Sequence, residues 1–108
     1  MTIQDVTEVF TKIPDAFNPD AATGLDAVFQ FDITGDQGGS WHVTIRDKTC
    51  RTEKGNHADP TVKLTMSQET WLAIVNKELG GMQAFISGKL NVSGDIMLAQ
   101  RIPDLFTF

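Results

Sequence analysis

The stretch Met82-Gln-Ala-Phe-Ile-Ser-Gly-Lys-Leu-Asn-Val-Ser-Gly-Asp-Ile-Met-Leu-Ala99 decides how the rest of the chain can be arranged. Met82, Phe85 and Ile86 fall at helical spacing, and Gly88 interrupts them. Leu90 and Val92 then alternate with Lys89, Asn91 and Ser93, the pattern of a short strand with one buried face. Gly94 ends the strand, and Asp95 stands at an N-cap position ahead of Ile96 and Leu98. Helix, strand and capped helix succeed one another without a catalytic side chain among them. The segment reads as a device for holding apolar surface in place.

Upstream of it, Asp59-Pro60 leads into a strand with Val62, Leu64 and Met66 on one side. Ser67 then caps a helix bearing Trp71, Leu72, Ile74, Val75 and Leu79, broken at Gly80-Gly81. Leu25 to Ile33 alternates cleanly, with Leu25, Ala27, Phe29, Phe31 and Ile33 on one face. A Gly-rich loop, Thr34 to Gly39, joins it to a strand through Trp41, Val43 and Ile45. Asp47-Lys48 reads as a tight turn into a third strand, Thr49 to Lys54. A two-residue turn there sets Ile45 opposite Cys50 and His42 opposite Glu53. At the start of the chain Thr2 and Asp5 form a capping box, and Ile3, Val6, Phe10 and Ile13 mark a helix that Pro14 stops. Asn18 caps one further turn beginning at Pro19 and ending at Gly24. Downstream, Leu98, Ile102, Leu105 and Phe106 share a helical face, and Pro103 predicts a kink or restart. The pattern predicts an α+β fold, a mostly antiparallel sheet covered on one face by helices.

A chain of 108 residues is one domain, 1–108, with enough mass for a single core. Its net charge of -5 comes from scattered acids, which excludes the concentrated basic face that nucleic acid requires. Cys50 is the single cysteine, so no internal disulfide can form and a reducing, cytoplasmic setting is expected. Early Asp5 and Glu8 and the lack of a long apolar run predict no secretory leader and no spanning helix.

Catalytic and metal-binding patterns are thin. By alternation His42 faces the polar side of its strand and, with a two-residue turn, Cys50 faces the apolar side, so a nucleophilic pair is not expected. His57 belongs to a polar loop, and a small enzyme built on His42 with Glu53 would need a cleft on the polar sheet face. No CxxC, HExxH, calcium loop or phosphate-binding glycine motif occurs, so neither metal nor cofactor is expected. Apolar supply is the unusual feature: two Trp, seven Phe and four Met, with the last residues Ile102-Pro103-Asp104-Leu105-Phe106-Thr107-Phe108 aromatic to the end. Periodicity does not distinguish a packed core from one enclosing a cavity. It also leaves open that Leu105, Phe106 and Phe108 dock on a partner or on a second copy of the chain.

Asp59-Pro-Thr-Val-Lys-Leu-Thr-Met-Ser67 followed by Met82 through Asp95, with Leu98-Ala99 behind, resembles the sterol carrier protein type-two domain. Ala84-Phe85-x-x-Gly88-Lys89-Leu90-x-Val92-x-Gly94 is the most specific part, and the likeness extends over nearly the whole chain. The resemblance implies a five-stranded sheet backed by helices and enclosing a hydrophobic tunnel. That tunnel would take up a fatty acid, acyl-CoA, phospholipid or sterol-like molecule without chemistry. Carried over, the lining is Phe29, Phe31, Trp41, Val43, Met66, Trp71, Val75, Met82, Phe85, Ile86, Leu98, Ile102 and Phe106. The expected partner is a long-chain lipid, with transient membrane or partner-enzyme contact and a homodimer left open. Gly81 stands where such domains often have proline, and Thr107-Phe108 is not a Ser-Lys-Leu peroxisomal address.

Overall fold

The computed structural model describes residues 4–107. Five strands, β1 (Ala27–Thr34), β2 (Gly39–Arg46), β3 (Thr49–Lys54), β4 (Val62–Ser67) and β5 (Leu90–Gly94), form one sheet in the order β3-β2-β1-β4-β5. Three of the four pairings are antiparallel, and β1 with β4 is parallel. Asp47 and Lys48 both take positive φ, 51° and 59°, as a two-residue hairpin turn of matching twist requires. The resulting register sets Ile45 opposite Cys50 and His42 opposite Glu53. The parallel pair arises because residues 55–61 cross the polar face of the sheet instead of turning back beside β3. His57 N donates to Gln30 Oε1 and Thr61 N to the Val28 carbonyl along that path.

Strict alternation makes one face apolar across β2, β1, β4 and β5. Phe31 stands between Trp41 on β2 and Leu64 on β4, and Leu64 in turn opposes Val92. Phe29 lies between Val43 and Val62, and Met66 between Ile33 and Leu90. Gly94 closes β5 at φ +94°, where a Cβ would lie 2.6 Å from the Thr61 carbonyl oxygen, so only glycine lets β5 meet β4 there.

Five short helices cover the apolar face: α1 (Val6–Ala16), α2 (Gln68–Val75), α3 (Gly81–Ile86), α4 (Ile96–Ala99) and α5 (Ile102–Leu105), with a 3-10 turn at Pro19–Ala22. Asp5 itself is the cap of α1, accepting from Thr7 N and Glu8 N; Thr2 and Ile3, the other predicted members of this start, lie outside the described residues. The helix continues through Pro14 to Ala16. A proline in the last turn removes one amide donor and leaves the helical path of the next two residues open. Asn18 does not cap the 3-10 turn: its Nδ2 donates to the Asp104 carbonyl and to Thr107 Oγ1 at the other end of the chain. Ser67 Oγ accepts from Thr70 N as the cap of α2. That helix ends at Val75, short of Leu79, because Lys77 turns to φ +62°. Pro103 marks a restart: α4 stops at Ala99 and α5 begins at Ile102 with proline in its first turn.

Phe10 ties α1 and α2 to the sheet. It stacks on Trp41 at 4.7 Å and on Trp71 at 5.5 Å, and meets Phe31 edge-on at 5.5 Å. Val6, Val9 and Ile13 are buried beside it. Phe29, Phe31, Val43 and Ile45 of β1 and β2 beneath it are buried as well.

Candidate functional site

Over β4 and β5 the covering changes. Helix α3 has six residues and α4 and α5 four each, too few to interdigitate a continuous layer with the sheet beneath. Two adjoining half-open clefts result. The first, about 180 Å³, has Leu64, Met66, Leu90 and Val92 as its floor and Trp71, Ile74, Gly81, Met82, Phe85, Ile96, Ala99, Gln100 and Ile102 as its walls. Gln100 is the one side chain among these that ends in an amide or charge; the rest is hydrocarbon, thioether, ring or bare backbone. The second, about 310 Å³, runs between α2, the 76–80 linker and α5, along Trp71, Ile74, Val75, Lys77, Leu79, Gly80, Gly81, Ile102, Phe106 and Thr107. Trp71, Ile74, Gly81 and Ile102 belong to both. The larger cleft alone falls within the roughly 300–1,000 Å³ of small-molecule sites.

The thirteen side chains expected to line a tunnel thus separate into groups. Met66, Trp71, Met82, Phe85 and Ile102 line the first cleft, and Val75 and Phe106 join Trp71 and Ile102 in the second. Phe29, Phe31, Val43 and Leu98 lie in the packed core and border neither. Trp41 is half-buried against Phe10. Ile86 points outward, 77% exposed, because α3 has turned its other face to β5. Leu64, Ile74, Leu90, Val92, Ile96 and Ala99 line the first cleft without having been singled out. Leu64, Leu90 and Val92 share the sheet face of Met66, and that shared alternation was the available signal.

Trp71 is the hinge of this arrangement. It is 3% exposed, held by Phe10 and by Phe31 at 5.0 Å, and its Nε1 is buried without a hydrogen-bond acceptor. The C-terminal wall is fixed as firmly. Leu105 and Phe106 are buried, Phe106 bridges to Phe17, and Thr107 N donates to the Ala16 carbonyl. Arg101 adds a hydrogen bond from its guanidinium to the Ala21 carbonyl. Leu105 and Phe106 are thus occupied within their own chain; Phe108 lies outside the described residues.

The joint at Gly80-Gly81 yields the first prediction. Gly80 has φ −74° and ψ 143°, the conformation a residue before proline must take, and a Cβ on Gly81 would meet nothing within 4 Å. Gly81 occupies the first position of α3, where proline is favoured. Gly81→Pro should raise stability by about 0.4–1 kcal/mol through the unfolded chain, read as a higher urea midpoint at unchanged slope. A lower midpoint would show that the joint needs glycine.

On the polar face, loop 55–61 covers a hydrogen-bonded group. Gln30, 2% exposed, donates to Asp32 Oδ1 and Asn56 Oδ1. Burial raises the Asp32 carboxyl, yet hydrogen bonds from Gln30, Lys63 and Ser40 and the charge of Lys63 at 3.1 Å prevail and hold it below its ordinary value. His42 Nδ1 lies 3.0 Å from the Gly55 carbonyl oxygen, and its Nε2 stands 4.0 Å from Glu53. His57 belongs to this loop and is half-buried, its ring edge-on to His42 at 5.4 Å. Neither cleft reaches this group. Cys50, on the opposite face, is pushed up to about 11 by burial, so its thiol stays protonated at neutral pH. Among the described residues no three His, Cys, Asp or Glu side chains are placed to share a metal ion, and no helix is long and apolar enough to cross a membrane.

The sequence profile of the SCP-2 sterol transfer family matches residues 6–107. Hydroxysteroid dehydrogenase-like protein 2 of Rattus norvegicus is 30% identical over 103 residues, which are 94% of this chain and 20% of that protein. The chain therefore spans about a fifth of the length of the curated relatives it matches. Palmitated SCP2L2 from Aedes aegypti superposes with a TM-score of 0.74 at 28% identity, covering 94% of this chain and 93% of that one. An inverting sec-alkylsulfatase from Pseudomonas sp. gives a TM-score of 0.81 at 18% identity over 93% of this chain and 16% of its own, a likeness of fold. The profile match, the five-stranded mixed sheet and the agreement with solved sterol carrier proteins lead to one conclusion: this chain belongs to the SCP-2 sterol transfer family.

Proposed function

We propose that the chain binds a long-chain lipid in the clefts between β4, β5 and the short helices, and hands it on or presents it without chemistry. The observation that carries this reading is the almost wholly apolar lining of the first cleft, continuous with the second through Trp71 and Ile102. Such a surface has nothing with which to polarise a bond, but it removes hydrocarbon from water at about 0.8 kcal/mol per methylene. Palmitate in the related Aedes aegypti protein supports a fatty acid or its ester as the class of ligand. The tail would lie over Leu64, Met66 and Val92, with any polar head toward Lys77 at the outer end of the second cleft.

Fluorescence titration tests the proposal, because Trp71 forms part of both walls. Saturated fatty acids should quench its emission saturably, in a Trp41→Phe background that leaves one reporter. Shortening the tail by four methylenes should weaken binding by about 3 kcal/mol, roughly a hundredfold. No saturable change with any long-chain acid or ester, or an affinity independent of tail length, would overturn the reading.

A further inference from the structure

The sheet ends on two unlike edges. β5 is flanked by α3 and α4, whereas β3 has β2 on one side, α1 across its apolar face and, among the described residues, no strand beyond it. The tight turn at Asp47-Lys48 makes Arg46 and Thr49 a hydrogen-bonded pair, and alternation from there aims the backbone groups of Thr49, Arg51 and Glu53 at β2. The N–H and carbonyl groups of Cys50, Thr52 and Lys54 therefore point off the sheet, and no hydrogen bond from another described residue closes them. Edges ordinarily avoid pairing with another chain through proline, a bulge or repelling charge. β3 has no proline, its register with β2 runs unbroken, and its charges are of both signs.

Those charges select how a second copy would lie. Two identical edges meet about a two-fold axis as an antiparallel pair. Outward backbone groups must face outward ones, so the axis falls at a residue of β3 and not between two. An axis at Arg51 or at Glu53 sets that side chain against its own twin. One at Cys50 opposes Glu53 to Asp47 and Lys54 to Arg46 of the second copy, and one at Lys54 opposes the two lysines. An axis at Thr52 alone opposes unlike charges, Arg51 to Glu53 in both directions, with Lys54 opposite the Cys50 thiol. Arg51 and Glu53 then occupy non-hydrogen-bonded sites, where side chains approach most closely. Arg51 Nε already lies 3.1 Å from its own Glu53 Oε1, and the guanidinium has further donors for a second carboxylate. On the apolar face the same axis brings Thr52 to its twin. Its Oγ1 is buried without a hydrogen-bond partner among the described residues, and paired threonine hydroxyls are a stabilising cross-strand contact.

We propose that β3 pairs with β3 of a second copy about a two-fold axis at Thr52, Arg51 facing Glu53 on both sides of it, so that two five-stranded sheets become one. The clefts lie over β4 and β5, at the far side of each sheet, and stay open in the pair. One strand offers fewer residues than the about 20–30 a side of a standard interface, so the dimer forms in the micromolar to millimolar range.

Sedimentation equilibrium across that range tests the pairing on the wild type, Arg51→Glu and Arg51→Glu/Glu53→Arg. The wild type should dimerise reversibly. Arg51→Glu, which brings carboxylates face to face, should associate at least tenfold more weakly, and the double variant, with the two charges exchanged, should recover. Oxidation in a Cys50→Ser background reads the register. Facing non-hydrogen-bonded residues have Cα atoms about 4.5 Å apart, within disulfide reach. A mixture of Arg51→Cys and Glu53→Cys chains should therefore cross-link as the mixed dimer at least tenfold faster than either chain with itself. A circular dichroism spectrum and melting point matching wild type confirm that each variant is folded. A wild type that stays monomeric at millimolar concentration overturns the proposal, as does a dimer that Arg51→Glu leaves intact. Failure of the double variant to recover, or cross-linking without preference for the mixed pair, overturns it equally.

Discussion

Ala99→Phe should abolish saturable fatty-acid binding while the protein stays folded. Ala99 ends α4 on the wall of the first cleft, half-buried and facing Leu64, Met66 and Val92 across the opening. A benzyl group there enters space that no side chain fills, so it lacks the clashes that make overpacking of a closed core cost about 1–3 kcal/mol. It removes much of a volume of about 180 Å³. If the tail lies in this cleft, affinity for long-chain acids should fall at least tenfold, with the melting temperature within a few degrees of wild type. Retained affinity in a folded variant would place the ligand outside the first cleft. The converse experiment uses Val75, which lines only the second cleft: Val75→Phe should weaken the longest tails more than short ones.

The largest effect on stability is expected at Phe10. Its ring is 1% exposed and touches Trp41, Trp71 and Phe31, so truncation to alanine removes contacts on three sides and leaves a cavity. Phe10→Ala should cost about 3–5 kcal/mol, a large share of the roughly 5–15 kcal/mol that holds such a domain folded. Urea denaturation would read this as a fall in midpoint, and a loss below about 1.5 kcal/mol would show that α1 is a removable cover. Because Phe10 also backs Trp71, the same variant should broaden Trp71 emission and weaken the tail-length dependence.

The sheet was legible because period-two alternation over residues 27–33, 41–45, 62–66 and 90–92 has one satisfactory burial. The parallel β1–β4 pair was not, since its cause is a loop path across the polar face, held by Gln30 and Val28. Helix ends moved where a local rule met tertiary packing: α1 passes Pro14, and α2 stops at Val75 although Leu79 continues its apolar spacing. For the site, alternation named the correct face but carried no depth. Phe29 and Val43 share a face with Met66, yet they are sealed in the packed core, while Met66 borders the first cleft with Met82 and Phe85 of α3 and Ile96 and Ala99 of α4. Helix length decided where space remained, and the Gly and Pro breaks that set it were visible without their consequence.

The hydrogen bonds from Asn18 to Asp104 and Thr107 join two places far apart in the order of synthesis. A ribosome releases residues 16–18 long before their partners exist, so the wall formed by Ile102 and Phe106 is necessarily the last piece assembled. Until then the second cleft lacks its outer side, and Trp71, Val75 and Leu79 stand open to water along it.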